Sequence, residues 1–322
     1  MLTRDGQVRK NSEKATAKAK CTVNKNITLY AVQKKAVQLT FHRCDGSTWQ
    51  KTTLAKGSSY SLPGVRDAEG YTFMGWSTKP MQSVSPQYEA EEKITVNGNV
   101  DLYAVVFNRT TETDLTEDQL PQVDIYKYKQ VIFVGDSRTE FMENVLTGMG
   151  ESATKNVKFV CSAGKGLDWF TTTGWAQLYS IVQHDSNSIL SKKTAVIFNF
   201  GVNDLSKSAD YAEYYNWIAP QLKSKGCELY FMSVNPVNRL MLPNAGRADR
   251  SEAAVRSFNQ YMKANLPSAY TYIDMYSYLK STGYSFASDH YGTGTVDDGL
   301  HYTTRTYKRI FAKCMDSLRV PA

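Results

Sequence analysis

Ser137 stands in Gly135-Asp136-Ser137-Arg138, between the apolar run Val131–Val134 and a stretch with helical periodicity. A serine at such a strand-to-helix turn has its own N–H near a helix N-terminus, so it can be a nucleophile whose amide helps hold an oxyanion. It equally suits the N-cap of that helix. Unperturbed serine is a weak nucleophile and needs a base. There are four histidines. His301 follows Asp298 by three residues, a spacing that lets the carboxylate accept from Nδ1–H and leaves Nε2 free. His290, beside Asp289, is the rival, but sequence-adjacent side chains usually point apart. His42 falls in a β-rich region and His184 at a predicted helix end. Asn203, in Gly201-Val202-Asn203-Asp204, can aim its amide N–H₂ at the same cavity or form an Asx-turn. The glycines of Ser162-Ala163-Gly164-Lys165-Gly166 allow close approach of an exposed backbone N–H.

These residues need elements to carry them. Apolar strand candidates at 130–134, 157–161, 194–200, 228–234 and 271–275 alternate with helix candidates at 138–149, 168–183, 209–225, 251–265 and 303–318. Near-continuous apolar strands suit a sheet covered on both faces. The expected fold class is therefore α/β, a three-layer α/β/α sandwich on a five-strand parallel sheet, with chemistry beyond the C-terminal strand ends. Each candidate motif falls at such an end.

The N-terminal third follows another pattern. TVNKNITLYAV at 22–32 recurs as TVNGNVDLYAV at 95–105, eight of eleven positions being identical. Between the copies lie short alternating β-type runs broken by Gly, Pro and Asp, which read as a small β-rich module. The expected units are a basic leader with a repeat remnant (1–36), the β module (37–107), a polar linker with Pro121 (108–124) and the α/β domain (125–322). Half a repeat cannot close its own core, so order is not expected before about residue 20.

Composition bounds the function. With 42% hydrophobic and 21% charged residues the chain is globular. The net +7 resides in residues 1–36, where nine Lys/Arg meet two acids; the remaining 29 basic and 29 acidic residues balance, which argues against a nucleic-acid partner. No stretch approaches the roughly 18 apolar residues of a membrane span. Five scattered cysteines without a CxxC argue against a disulfide scaffold or zinc cluster, and Cys161 and Cys227 read as small core residues.

Taken in order, the Ser, Gly, Asn and Asp-x-x-His signals resemble the SGNH (GDSL-like) hydrolase family over about 125–322, which has a flavodoxin-like fold. The resemblance implies Ser137, Asp298 and His301 as catalytic residues. It implies an oxyanion hole of Ser137, Asn203 and a glycine, Gly166 or Gly164, with no metal or organic cofactor. Arg138 replaces the family's Leu, and Tyr302 the proline that often follows the histidine; neither is a catalytic group. The β module, with its LTFH, GYTFMGW and NVDLYAVV blocks, resembles the internalin-type B-repeat (Listeria-Bacteroides repeat) of Gram-positive surface proteins, and is β-grasp-like in fold. Such repeats serve as stalks or spacers, which implies a secreted or cell-surface location, association with the cell wall, and a longer natural chain.

The expected activity is hydrolysis of short acyl esters, O-acetyl above all, on a carbohydrate or small-molecule substrate. Arg138 and Trp169 are candidate substrate contacts, the former for an anionic or polar group or else as the partner of an acid in its helix, the latter beside Trp175 as an apolar or sugar-stacking wall or as helix packing. Loops 236–250 and 281–297 should rim the cleft. The alternatives are an acyltransferase using the same site and a non-catalytic glycan-binding adhesin.

Overall fold

The computed structural model describes residues 35–184, 192–291 and 294–319. The expectations for the leader before residue 35, its repeat remnant included, lie outside them. The first unit contains β1 (Ala36–His42), β2 (Thr48–Ala55), β3 (Ser58–Ser61), β4 (Tyr71–Ser77), β5 (Lys93–Val96) and β6 (Val100–Asn108). Four strands form a sheet in the order β2-β1-β6-β4, with β1 and β6 parallel, while β3 and β5 pair separately. Phe41, Phe73, Trp76 and Leu102 fill its own core.

The second unit begins with β7 (Tyr128–Gly135) and α1 (Ser137–Met149), followed by β8 (Val157–Cys161). Next come α2 (Leu167–Trp169), a π-turn at Phe170–Gly174 and α3 (Trp175–His184). Then follow β9 (Lys193–Asn199), α4 (Ser208–Lys223), β10 (Cys227–Met232), α5 (Glu252–Asn265), β11 (Tyr270–Ile273) and α6 (Met275–Thr282). A hairpin of β12 (Phe286–Tyr291) and β13 (Gly294–Tyr302) precedes α7 (Thr304–Ser317). Five strands form a parallel sheet in the order β11-β10-β9-β7-β8.

Alternation along the strands builds the sandwich. Ile132 and Val134 of β7 face one apolar cluster, Val131 and Phe133 the other; Val196 and Phe198 of β9 divide from Ala195 and Ile197 in the same way. Both faces are buried, each large apolar side chain contributing about 1.5–3 kcal/mol. The strand order reverses between β7 and β9, and it is at the C-terminal ends of strands beside such a switch point that open α/β sheets place their sites.

Three features depart from the sequence reading. Met275 opens α6 instead of closing a strand, because Asp274 caps that helix by accepting from Ser277 N at 3.1 Å. Much of segment 281–297 is hairpin and not open loop. Residues 108–124 are bound along the α/β domain: Leu120 and Val123 enter its core, and buried Glu112 pairs with Arg309 at 3.0 Å and accepts from Ser285 Oγ at 2.5 Å.

The two units also share a core. Met74, Val105 and Phe107 of the module belong to the cluster that contains Met275, Leu279, Tyr284 and Tyr302. Lys280 on α6 is buried at this seam. It donates to the Met74 carbonyl at 2.8 Å and pairs with Glu89 at 2.8 Å and Glu252 at 3.1 Å. Those carboxylates hold its ammonium charged against the cost of burial. Among the described residues, no helix is long and apolar enough to cross a membrane.

Candidate active site

The turn after β7 gives Ser137 its place. Asp136 is the N-cap of α1, accepting from Arg138 N at 3.0 Å, so Ser137 is the first helical residue and not the cap. Its Oγ lies 2.9 Å from His301 Nε2. His301 Nδ1 lies 2.5 Å from Asp298 Oδ2, while Asp298 Oδ1 accepts from the N–H groups of Leu300 and His301, each at 2.8 Å. All three side chains are buried. Burial by itself would raise the Asp298 pKa, but the hydrogen bond and charge of His301 and the two amides hold it below the ordinary value. Asp298 therefore stays anionic and keeps His301 Nε2 aimed at Ser137.

The turns after β8 and β9, the two strands that flank β7, contact each other. Asn203 Oδ1 accepts from Arg250 at 2.8 Å, and Arg250 is itself held by the Val202 carbonyl at 2.6 Å. A guanidinium can only donate, so the Asn203 N–H₂ must face the other way, where it donates to Lys165 O at 2.8 Å. Among the described residues, its other hydrogen meets no acceptor. Gly166 follows Lys165, and a Cβ there would run into the Asp204 carboxylate, which accepts from Leu167 N at 2.8 Å and Tyr211 OH at 2.8 Å. Gly166 is thus required by close packing of this turn. Gly164 has a φ of +70° and open space around it, so its glycine serves the turn alone.

The two substrate candidates have other surroundings. Arg138 is buried, and its guanidinium donates to the carbonyls of Leu300 (3.1 Å), Asn235 (3.0 Å) and Pro236 (2.9 Å). With those donors committed and the head group lying over Tyr302, it braces the β13 end from behind; the expectation of a substrate contact is corrected accordingly. Trp169 is half-buried, packed on the core with Phe200 6.2 Å away, and the Gly174 turn closes against its ring. It is a packing residue on the observed contacts.

Three groups were not singled out by the sequence. Phe141, one turn after Ser137, lies with its ring centroid 4.5 Å from that of His301. The i, i+4 spacing from Ser137 is the signal that could have found it. Arg247 reaches Asp298 at 3.5 Å, and Arg250 orients Asn203. Both lie in the 236–250 loop, where no periodicity marks them. Asp136 is fully enclosed, and burial pushes its carboxyl up to about 6. His42 lies on the module, paired with Asp101 and stacked on Tyr103. His290 sits in the hairpin with its backbone opposite Thr295, toward the end away from Asp298. Cys161 is half-buried beside Glu143 and not in the core, whereas Cys227 is buried.

Comparison with known proteins decides the family. Residues 131–314, more than half the chain, match the GDSL-like lipase/acylhydrolase model. The chain belongs to that family. It is an SGNH-type ester hydrolase, and residues 38–105 match the Listeria-Bacteroides repeat domain. No curated protein sequence matches it. Similar solved structures include a member of the lipolytic G-D-S-L family from Veillonella parvula, at 17% identity over 59% of this chain and 99% of that one, TM-score 0.35. The C-terminal catalytic domain of a Streptococcus pneumoniae peptidoglycan O-acetyltransferase aligns at 16% identity over 59% and 92%, TM-score 0.34. A Bacillus subtilis protein aligns at 13% identity over 88% of this chain and 98% of its own, TM-score 0.38.

Proposed function

We propose that this SGNH hydrolase removes short acyl groups, O-acetyl in particular, from carbohydrate esters, with Ser137 as nucleophile, His301 as base and Asp298 as its partner. The observation that carries the reading is the 2.9 Å approach of Ser137 Oγ to His301 Nε2, continued by the 2.5 Å contact of Nδ1 with Asp298. As Oγ bonds to the ester carbonyl carbon, its proton passes to Nε2 and the carbonyl electron pair moves to oxygen. The Ser137 and Gly166 amides and the free Asn203 N–H receive that oxyanion, each donor worth on the order of 2.7–4 kcal/mol. Collapse breaks the bond to the alcohol, which leaves with the proton from His301. Water then attacks the acyl-Ser137 ester, gives its proton to Nε2, and the acid departs as Oγ regains that proton.

The size and polarity of the surroundings support the substrate class. Ser137 and His301 are 5% and 4% exposed, which suits a small acyl group better than a long chain. The flanks are polar: Arg247 beside Asp298, Lys165 beside Asn203, and the Lys207–Asp168 pair on the next turn. A hydroxyl-rich alcohol suits that rim. The repeat module further supports a secreted or cell-surface setting, with the cell wall as the source of substrate. Hydrolysis of p-nitrophenyl acetate by wild type beside Ser137→Ala tests the chemistry, and equal rates would overturn it. Acetylated oligosaccharides set against p-nitrophenyl esters of increasing chain length test the specificity; faster turnover of long chains would reject it.

A further inference from the structure

Asp298 rides on a turn that its own domain does not hold alone. Gly299 has a φ of +67°, and the Asn238 carbonyl oxygen stands 2.5 Å from where a Cβ would be, so the turn is pressed against the 236–250 loop. Two chains of contacts reach it from the repeat module, and both begin at Asp67. One Asp67 oxygen accepts from Arg109 at 2.7 Å, and the other arm of that guanidinium pairs with Asp297 at 2.6 Å. The second Asp67 oxygen accepts from Asn238 Nδ2 at 2.8 Å, and Asn238 N donates to Gly299 O at 2.9 Å. Phe73 N, donating at 3.0 Å, fixes Asp67 within the module, and its side chain has no exposure. Asn238 also donates to Val65 O at 3.0 Å. One buried carboxylate thus anchors the residues on both sides of Asp298. A rigid guanidinium fork between two carboxylates sets their separation more tightly than a lysine could.

We propose that the repeat module is part of the active-site scaffold: Asp67 is a positioning residue that, through Arg109 and Asn238, holds the 297–299 turn so that Asp298 meets His301. The inference rests on the assignment of Ser137, His301 and Asp298 above. A displacement of about 1 Å at such a group lowers turnover by as much as about a hundredfold. The module then acts on kcat and not only as a spacer.

The test uses the full chain, with p-nitrophenyl acetate as probe and Ser137→Ala alongside. Asp67→Asn should lower kcat roughly tenfold or more with KM changed less than about twofold. The acid limb of its kcat profile should move to lower pH, because an imidazolium held less well by Asp298 loses its proton more readily. In an Asp298→Asn background the same change should alter kcat less than about twofold, since nothing remains to be positioned; a general loosening would instead multiply the two losses. Should Asp67→Asn fail to fold, the partly exposed Asp297→Asn breaks the same link and should show the same three effects. Wild-type kcat and an unmoved acid limb in whichever variant folds, or multiplicative losses, would overturn the inference while Ser137→Ala remains inactive. An active Ser137→Ala would instead remove the hydrolytic assignment and the inference with it.

Discussion

The Ser137 turn and the Asp298 turn are built in opposite ways. Ser137 is placed by its own neighbours: a buried strand runs into it, Asp136 caps the helix that leaves it, and Thr139, one residue beyond Arg138, accepts from Asn199 at 3.0 Å to tie the turn to the adjoining strand end. Asp298 is placed from outside, by the 236–250 loop and by a carboxylate in another folding unit. The contrast teaches that the nucleophile is fixed largely by its own turn and the adjoining strand end, whereas the acid orienting its base, beyond its two local amides, depends on contacts far away in sequence.

The largest effect expected on that contrast is at Asp298 itself. Asp298→Asn should lower kcat by about 10⁴-fold, since an amide favours the wrong imidazole tautomer; steady-state kinetics on p-nitrophenyl acetate measure it. A loss under about tenfold would mean that the acid turn matters less than the nucleophile turn. Next comes the seam. Phe107 packs directly on Gly283, and Phe107→Ala should cost about 3–5 kcal/mol and lower the melting of both units together, as followed by denaturant unfolding. Two separate transitions would show that the module does not support the domain. On the nucleophile side, Asn203→Ala should reduce kcat by about 10²–10³-fold with little change in KM.

Smaller is the pH dependence of stability, which should oppose that of activity. Burial raises the Asp67 and Asp136 carboxyls to about 6 in the folded state, above their ordinary 3.8. The folded chain therefore binds these two protons more tightly than the unfolded chain, so the contribution of these two groups to stability rises as pH falls from about 6 toward 4, by up to about 3 kcal/mol per group, against the opposite contribution of Asp298, whose carboxyl is held below its ordinary value. Activity falls on acidification because a protonated His301 cannot accept the Ser137 proton. Thermal melts of wild type and Asp67→Asn across that range check the sign. The variant, lacking one of the two groups, should show the shallower rise.

The part of the site that was legible lay in motifs joined to periodic elements. Strand 157–161 and the body of helix 138–149 follow from apolar spacing alone, and Gly135-Asp136-Ser137 sits where they meet. Arg138 was misread because nothing local shows that its three acceptors are carbonyls more than ninety residues downstream. The hairpin at 286–302 was missed because its polar, glycine-bearing strands carry too little apolar alternation to declare themselves. The polar composition of 108–124 gave no sign of its packing, because the burial of Glu112 depends on Arg309, Ser285 and Thr306.

The sequence alone determined the α/β alternation, the strand ends that carry Ser137 and Asn203, the family of the larger unit and the repeat character of the smaller one. Those follow from periodicity and short motifs, which are properties of neighbouring residues. Only the tertiary structure decided that Arg138 faces inward, that Phe141 lies on the imidazole, and that the module merges with the hydrolase core and reaches the Asp298 turn. Such contacts join positions separated by more than ninety residues, and their energies depend on burial and geometry that exist only once the chain has closed on itself.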